Sequence, residues 1–284
     1  MSIGESYQAT ANAQRATLLA ATSSPYTIDV RFLGGLTETQ KAAFTTAADR
    51  WAKVIVGDLP SMLVDGEVIN DVLILAQGTA IDGVGGILGQ AGPTHLRPAS
   101  VGQAGLLPVK GIMSFDTADL AQMEAGGTLV DVITHEMGHV IGIGTGWRGK
   151  GLLDGAGTAD PRFTGAQATA EYKLLGGTGS RAGVPVENTG GSGTRDSHWR
   201  ETVFRDELMS GFISGTGNPI SRMTVGSLAD LGYQVDLDAA EPYQLPNLLR
   251  LAEEGSLVAH EAPIDAGVVL PLVPIVLPAD SLSL

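Results

Sequence analysis

Thr128-Leu-Val-Asp131-Val-Ile-Thr-His135-Glu136-Met137-Gly138-His139-Val-Ile-Gly142 is the stretch on which the fold turns. Leu129, Ile133, Met137 and Val140/Ile141 recur at helical spacing, so the segment reads as an amphipathic helix. Gly126-Gly127 followed by Thr128-x-x-Asp131 marks its start with a capping-box pattern. His135 and His139 stand four residues apart, project from one face of that helix, and can share one divalent cation. Glu136 begins the same turn, which places a carboxylate beside any water such a cation holds. An accidental pair of helical histidines with a solvated Glu would spell the same letters, but the helical setting favours a metal site.

The rest of the composition narrows the chemistry. The chain has 284 residues, 43% of them hydrophobic and 17% charged, enough to bury a sizeable core. With no Cys, it has no disulfides, thiolate nucleophiles or thiolate ligands, so a metal must be held by His, Asp or Glu. Seventeen Lys and Arg against 31 Asp and Glu give a net charge of −14, which disfavours nucleic acid and anionic membrane surfaces as partners. That acidity would tolerate calcium, yet neither EF-hand spacing nor a nonapeptide repeat is visible, and solubility is the simpler reading. Met1 to Ser24 lacks a basic stretch followed by an apolar core and does not read as a Sec signal peptide. The expectation is therefore secretion by a non-Sec route or a cytoplasmic protein. The apolar run Ala266 to Pro278 is too short to span a bilayer and carries Pro271, Pro274 and Pro278, so no transmembrane segment is expected.

Outward from the motif helix, the pattern divides the chain. Residues 1–25 read as a mobile or loosely docked extension. Ile28, Val30 and Phe32 alternate with polar residues as a half-buried strand, and Thr37-x-x-Gln40 opens a helix that buries Phe44, Ala48, Trp51 and Ile55. Val72 to Ala76 is a continuous apolar run, the mark of a strand covered on both sides. Gly83 to Pro108 is Gly-rich, with an edge strand expected near Ile87 to Ala91. Ile112 to Phe115 is a further strand, and Asp116 or Thr117 caps a short helix through Met123. Beyond Gly146 the composition turns to Gly, Thr and Ser, with helices expected only around Ala166 to Leu175 and at Val225, Leu228 and Leu231, the latter ended by Gly232. An upper lobe (26–144) of sheet, backing helix and motif helix thus precedes a mostly irregular lower lobe (145–245) and an appended tail (246–284).

Two histidines do not complete a catalytic zinc site, which takes three protein ligands and a water. Gly142 matches the start of H-E-x-x-H-x-x-G-x-x-H, but the last position is Thr145, a poor zinc ligand. His95, His198, His260 and Glu171 remain. His95 lies in a Pro-flanked loop and reads as a rim residue, and His260 sits in the tail and reads as solvated. Glu171, on a downstream helix, is where a thermolysin-type third ligand would come from. His198 precedes Met209, and a Met beneath the metal after the third His accompanies the Gly of this pattern. Gly142, able to take positive φ, can end the helix in a sharp turn towards a distant ligand. Gly142 and Met209 favour His198 over Glu171.

With His135-Glu-Met-Gly-His139-Val-Ile-Gly142, a long insertion, Ser197-His198-Trp-Arg-Glu201 and Glu207-Leu-Met209-Ser210, the chain resembles the leishmanolysin branch of the metzincin metalloproteases. Gly-Val-Pro-Val-Glu-Asn before His198, and Arg222-Met-Thr to Leu231-Gly-Tyr233, also resemble bacterial members. The likeness covers roughly residues 27–245. It implies an α+β fold of metzincin/zincin type and one catalytic Zn²⁺ held by His135, His139 and His198. It further implies Glu136 as general base, Met209 as a supporting floor, and protein or peptide substrates bound extended along an edge strand within Gly86 to Pro93. The alternatives are a thermolysin-like peptidase using Glu171, or a zinc-stabilised binding module without catalysis. Unlike the protozoan members, the chain has no Cys for a latency switch, and no lipid-anchor signal is visible. Oligomeric state and cleavage preference are not readable.

Overall fold

In the computed structural model of the chain the described residues are 5–179, 181–191, 193–213, 215–247, 251, 269–270 and 272–283. The polar-looking N-terminus is part of the sheet. Strand β1 (Ser6–Thr10) pairs antiparallel with β2 (Thr27–Gly34), and between them helix α1 (Ala13–Ala20) is capped by Asn12, whose side chain accepts from the Gln14 and Arg15 N–H groups. Arg15 donates from Nε to Asp236 at 2.5 Å, tying α1 to a residue 221 positions later. Residues 6–20 are thus ordered elements, which corrects the expected loose extension over 1–25. Their buried side chains are the small Ala9, Ala11 and Ala16, which make little apolar periodicity to read.

Helix α2 (Glu38–Val54) starts with the expected capping box: Gln40 N–H donates to Thr37 Oγ1 at 3.2 Å, and Thr37 N–H donates to Gln40 Oε1 at 3.0 Å. It buries Phe44, Ala47, Ala48 and Trp51. Strands β3 (Met62–Val64) and β4 (Glu67–Ile69) form an unanticipated hairpin around Asp65-Gly66, both at positive φ. The sheet continues with β5 (Val72–Thr79), β6 (Gly89–Leu96) and β7 (Pro108–Asp116), in the order β1-β2-β5-β7-β6. β2, β5 and β7 are parallel, β1 runs antiparallel to β2, and β6 runs antiparallel to β7. In β5, Val72, Ile74 and Ala76 face the main core. Leu73 faces a smaller cluster with Met62, Val64, Ile69 and Val109, so the strand is covered on both sides as its unbroken apolar run indicates.

Helix α3 (Thr117–Gly126), capped by Asp116, leads through Gly127 to α4 (Leu129–Val140), the motif helix. α4 packs over β7 at Gly111, where a β-carbon would stand 2.4 Å from a Val140 methyl. The expected capping box at Thr128 does not form. Asp131 is taken instead by Arg50 Nη1 at 3.2 Å and the Gly217 N–H at 2.7 Å, so tertiary contacts claim the carboxylate.

Below α4, β8 (Leu153–Asp154), β9 (Arg162–Phe163) and β10 (Val184–Pro185) make a small antiparallel sheet. Helices α5 (Ala166–Leu174), α6 (Glu201–Phe204) and α7 (Arg222–Leu231) complete the lower part, α7 ending at Gly232 with φ 116°. Trp147, Phe163, Trp199 and Phe204 stack as its buried centre, with ring centroids 4.7–6.3 Å apart. Two late strands, β11 (Val269–Leu270) and β12 (Ile275–Val276), return to the upper sheet and lie parallel to β6. The edge strand expected at Ile87 to Ala91 is therefore shifted to Gly89–Leu96, and its outer side is already occupied. No helix among the described residues is long and apolar enough to cross a membrane.

Candidate metal centre

α4 carries His135 and His139 one turn apart, and both are buried. Its position is fixed from behind by α2: Trp51 Nε1 donates to the Thr134 carbonyl at 2.9 Å, one residue before His135. At the end of α4 the chain reverses through Gly142, whose φ of 111° belongs to glycine. The turn brings the Ile143 carbonyl back onto His139 Nδ1 at 2.9 Å, while Thr145 Oγ1 donates to the His139 carbonyl. Thr145, at the position of the missing third histidine, therefore serves the turn.

His198 arrives from the lower part. The Nε2 atoms of the three histidines form a near-equilateral triangle, 3.0 Å for His135–His198, 3.1 Å for His139–His135 and 2.9 Å for His139–His198. Each Nδ1 faces a backbone carbonyl, which can only accept: Leu208 for His135 at 2.6 Å, Ile143 for His139 at 2.9 Å, and Thr194 for His198 at 2.9 Å. The three rings therefore carry their protons on Nδ1, and three Nε2 lone pairs converge with no proton between them. Lone pairs so placed repel unless a cation joins them. Tetrahedral zinc with bonds of about 2.05 Å needs ligand nitrogens about 3.3 Å apart, close to this spacing. The donor set fits zinc, with a carbonyl behind every ring to set its orientation.

The electrostatics agree. Burial holds the His135 imidazole down at about 3 and His139 at about 4. His198 lies well below its ordinary 6.5, through burial and then the neighbouring rings. All three are thus neutral, the form that binds a metal. On the same helix Glu136 is buried, its carboxyl pushed up to about 8 by burial, and its Oε2 has no hydrogen-bond partner among the described residues. A buried carboxylate oxygen left unpaired is costly, and such atoms belong to sites where another species completes them.

Met209 is fully buried beneath the helix. A β-carbon on Gly138, inside the motif, would lie 2.7 Å from Met209 Sδ and 3.0 Å from Trp51, so the missing side chain of Gly138 is the seat of Met209. The turn bearing Met209 hangs on Glu207, a fully buried carboxylate that accepts from the Met209 N–H at 2.6 Å, the Ser221 N–H at 3.1 Å, Ser221 Oγ at 2.7 Å and Thr224 Oγ1. Leu208, between them, supplies the carbonyl that orients His135. Glu187 does similar service near His198. Its N–H donates to the His198 carbonyl, and its carboxylate accepts from the Asn188, Thr189 and Glu201 N–H groups.

The other expected candidates lie elsewhere. Glu171, on α5, is ion-paired with Arg222 at 2.9 Å and is not among the converging ligand atoms, which corrects the thermolysin-type alternative. His95 sits on β6 in register with Lys110, its ring nitrogen against Thr94 Oγ1. His260 lies outside the described residues. Glu187 and Glu207 stand inside the stretches quoted for the resemblance but carry no assigned role there, and the three carbonyls are not anticipated because backbone atoms leave no trace in residue type.

Comparison with known proteins matches this arrangement to one family. The leishmanolysin peptidase family model matches residues 101–249, more than half of the chain. A leishmanolysin homolog of Crithidia fasciculata is 29% identical over 133 residues, 44% of this chain and 20% of its own length. Leishmanolysin of Leishmania chagasi is 27% identical over 142 residues, 47% of this chain and 23% of its own. A leishmanolysin-like peptidase of Caenorhabditis elegans is 41% identical over 61 residues, 21% of this chain and 9% of its own. The chain thus spans about a fifth or less of the length of the curated relatives it matches. The twisted mixed sheet, the buried histidine triad and a match across more than half of its residues together place the chain in the leishmanolysin family, with a metzincin-like fold.

Proposed function

We propose that this chain is a zinc-dependent endopeptidase hydrolysing peptide bonds of protein substrates. The observation that carries the proposal is the meeting of three buried, proton-free Nε2 atoms at 2.9–3.1 Å beside a buried carboxylate oxygen that lacks a partner. His135, His139 and His198 would hold the ion. Zinc bound there supplies Lewis acidity, polarising a carbonyl and bringing the pKa of a water towards about 7. Glu136 takes the proton of the attacking water and passes it to the leaving amine. Burial raises its proton affinity, and a nearby cation draws it back down, the poise a general base and acid needs. Met209 closes the site from below with an apolar floor. The substrate backbone would lie extended along β6, adding a strand to the sheet.

Digestion of casein tests this reading. The zinc-loaded chain should cleave it, while chelator and Glu136→Ala should each stop cleavage. His198→Ala should lower the zinc bound per chain. A non-catalytic zinc-stabilised binding module would bind zinc equally and leave casein intact.

A further inference from the structure

The edge of β6 that a peptide would use is covered by the chain's own C-terminal segment. Val269 and Leu270 stand in parallel register with Gly89 and Gln90, and Ile275 and Val276 with His95 and Leu96. Between them Leu272 packs against Gly92, 3.7 Å from where a β-carbon would be. At its far end the segment is anchored. Leu277 N–H donates to the Leu96 carbonyl at 2.9 Å, and Leu277 packs on the Met62, Val64 and Ile69 cluster. Leu282 bridges to Met62, and Ser283 N–H donates to the Ser61 carbonyl. At its near end it reaches the metal centre's lower wall: the Val269 carbonyl lies 3.2 Å from a β-carbon placed on Gly193. The next residue, Thr194, gives its carbonyl to His198. The segment therefore spans from the upper edge strand to the loop that carries the third histidine.

We propose that Val269–Ser283 is an intramolecular strap that competes with substrate for the β6 edge. The inference rests on the peptidase reading above. A strand has two hydrogen-bonding edges, and β7 holds one of those of β6, so the other accepts the strap or a substrate backbone but not both. The strap is built to be displaced. Pro274 and Pro278 have no N–H to give a ladder, and the two paired pieces are only two residues each. Its outer face is exposed, with Val273 at 94%. The strong anchors lie at the Leu277–Ser283 end, so the end bearing Val269, Leu270 and Leu272 can peel from β6 while the rest stays attached. Apparent substrate affinity is then reduced by the fraction of molecules in which the near end is docked.

The experiment uses the full zinc-loaded chain and the double variant Val269→Asp/Leu272→Asp, with Val273→Asp as a control on the same segment. Binding of fluorescein-labelled casein is read in the Glu136→Ala background, and amide exchange is read across residues 89–96. The double variant should bind casein about tenfold tighter, the factor that corresponds to about 1.4 kcal/mol of lost closure. Its 89–96 amides should exchange faster, and a synthetic peptide of residues 269–283 should restore the weaker binding. Val273→Asp should behave as the parent. Equal casein affinity in the double variant and the parent overturns the strap, as does unchanged exchange over 89–96. If casein binding tightens as expected but the chain with Glu136 intact never cleaves it, the strap stands and the peptidase reading alone falls.

Discussion

Gly144 lies against Ser197 so closely that a β-carbon on it would stand 2.0 Å from the Ser197 carbonyl oxygen. Ser197 immediately precedes His198, and Gly144 follows the turn that aims Ile143 at His139. This contact between two backbones is where the two histidines of α4 are brought to the third. A side chain at 144 meets fixed backbone, and at φ 74° it would be strained in any case.

Gly144→Ala is accordingly expected to lower stability by about 2 kcal/mol or more and to weaken zinc binding by moving His198 away from the other two rings. Thermal unfolding of the chelated chain reads the first effect, and zinc titration of the folded chain reads the second. Normal zinc affinity in a folded Gly144→Ala chain would mean that the contact does not set the ligand triangle.

Much of the upper sheet and both ends of the site were legible because their signals are periodic or chemically rare. Val72 to Ala76 could only be a covered strand, and His135, Glu136 and His139 carry metal chemistry in their spacing. His198 was reached through its distance from Met209 and the family likeness. The remainder was written in groups that residue type does not encode. The carbonyls of Leu208, Ile143 and Thr194 are backbone atoms, and Gly144 is one glycine in a glycine-rich run. The capping pattern at Thr128 misled because Arg50 and the Gly217 N–H bind Asp131 in the folded molecule. Asp65-Gly66 is a turn signal, but the apolar runs on either side of it are too short to carry a strand period. The tail's place on β6 could not be read, since two-residue strands broken by proline have no period.

Gly138→Ala sets two effects against each other. Alanine gains about 1 kcal/mol over glycine in a helix interior. The new methyl would lie 2.7 Å from Met209 Sδ and 3.0 Å from the Trp51 ring, both fully buried, and overpacking of this kind costs about 1–3 kcal/mol. The Met209 thioether is flexible, but Trp51 is held by its bond to Thr134, so the overlap wins. A net loss of about 1 kcal/mol is expected in denaturant titration, and Met209→Ala should relieve only the part of the overlap that involves the thioether, leaving the part with Trp51. A stabilised Gly138→Ala single variant would show that Met209 and Trp51 both give way freely.

The buried histidines make the metal-free chain sensitive to acid. Folded His135 and His139 titrate at about 3 and about 4, and His198 well below 6.5, whereas in the unfolded chain all three titrate near 6.5. Between these values the unfolded rings bind more protons than the folded ones, so the histidine contribution to stability falls as pH drops from about 6.5 towards 4 and is fully present above 6.5. Glu136, raised by burial to about 8, Glu201 to about 7 and Asp71 to about 6 act in the opposite direction, because the folded chain keeps their protons where the unfolded chain has lost them. The histidine share is read by difference: between pH 7 and pH 5 the unfolding temperature of chelated His198→Asn should change less unfavourably than that of the chelated parent. An identical change in both would place the acid sensitivity elsewhere.

Glu207 connects the core to the orientation of the His135 ring through its carboxylate and the Leu208 carbonyl. Its carboxylate accepts from Met209, Ser221 and Thr224, and the Leu208 carbonyl held between these bonds accepts the hydrogen bond from His135 Nδ1. Glu207→Ala strands several buried donors, each worth about 1–3 kcal/mol when left unsatisfied, and is expected to destabilise the chain by several kcal/mol. Glu207→Gln keeps the shape but offers one acceptor oxygen where there were two, so it should fold with a smaller loss. Because one side of the Met209 turn is then released, its zinc affinity should fall by about 10- to 100-fold, the usual consequence of losing an outer partner of a ligand. Zinc titration of the folded Gln variant measures this directly. Unchanged affinity would show that Leu208 is held by the packing of its own buried side chain and not by the carboxylate beside it.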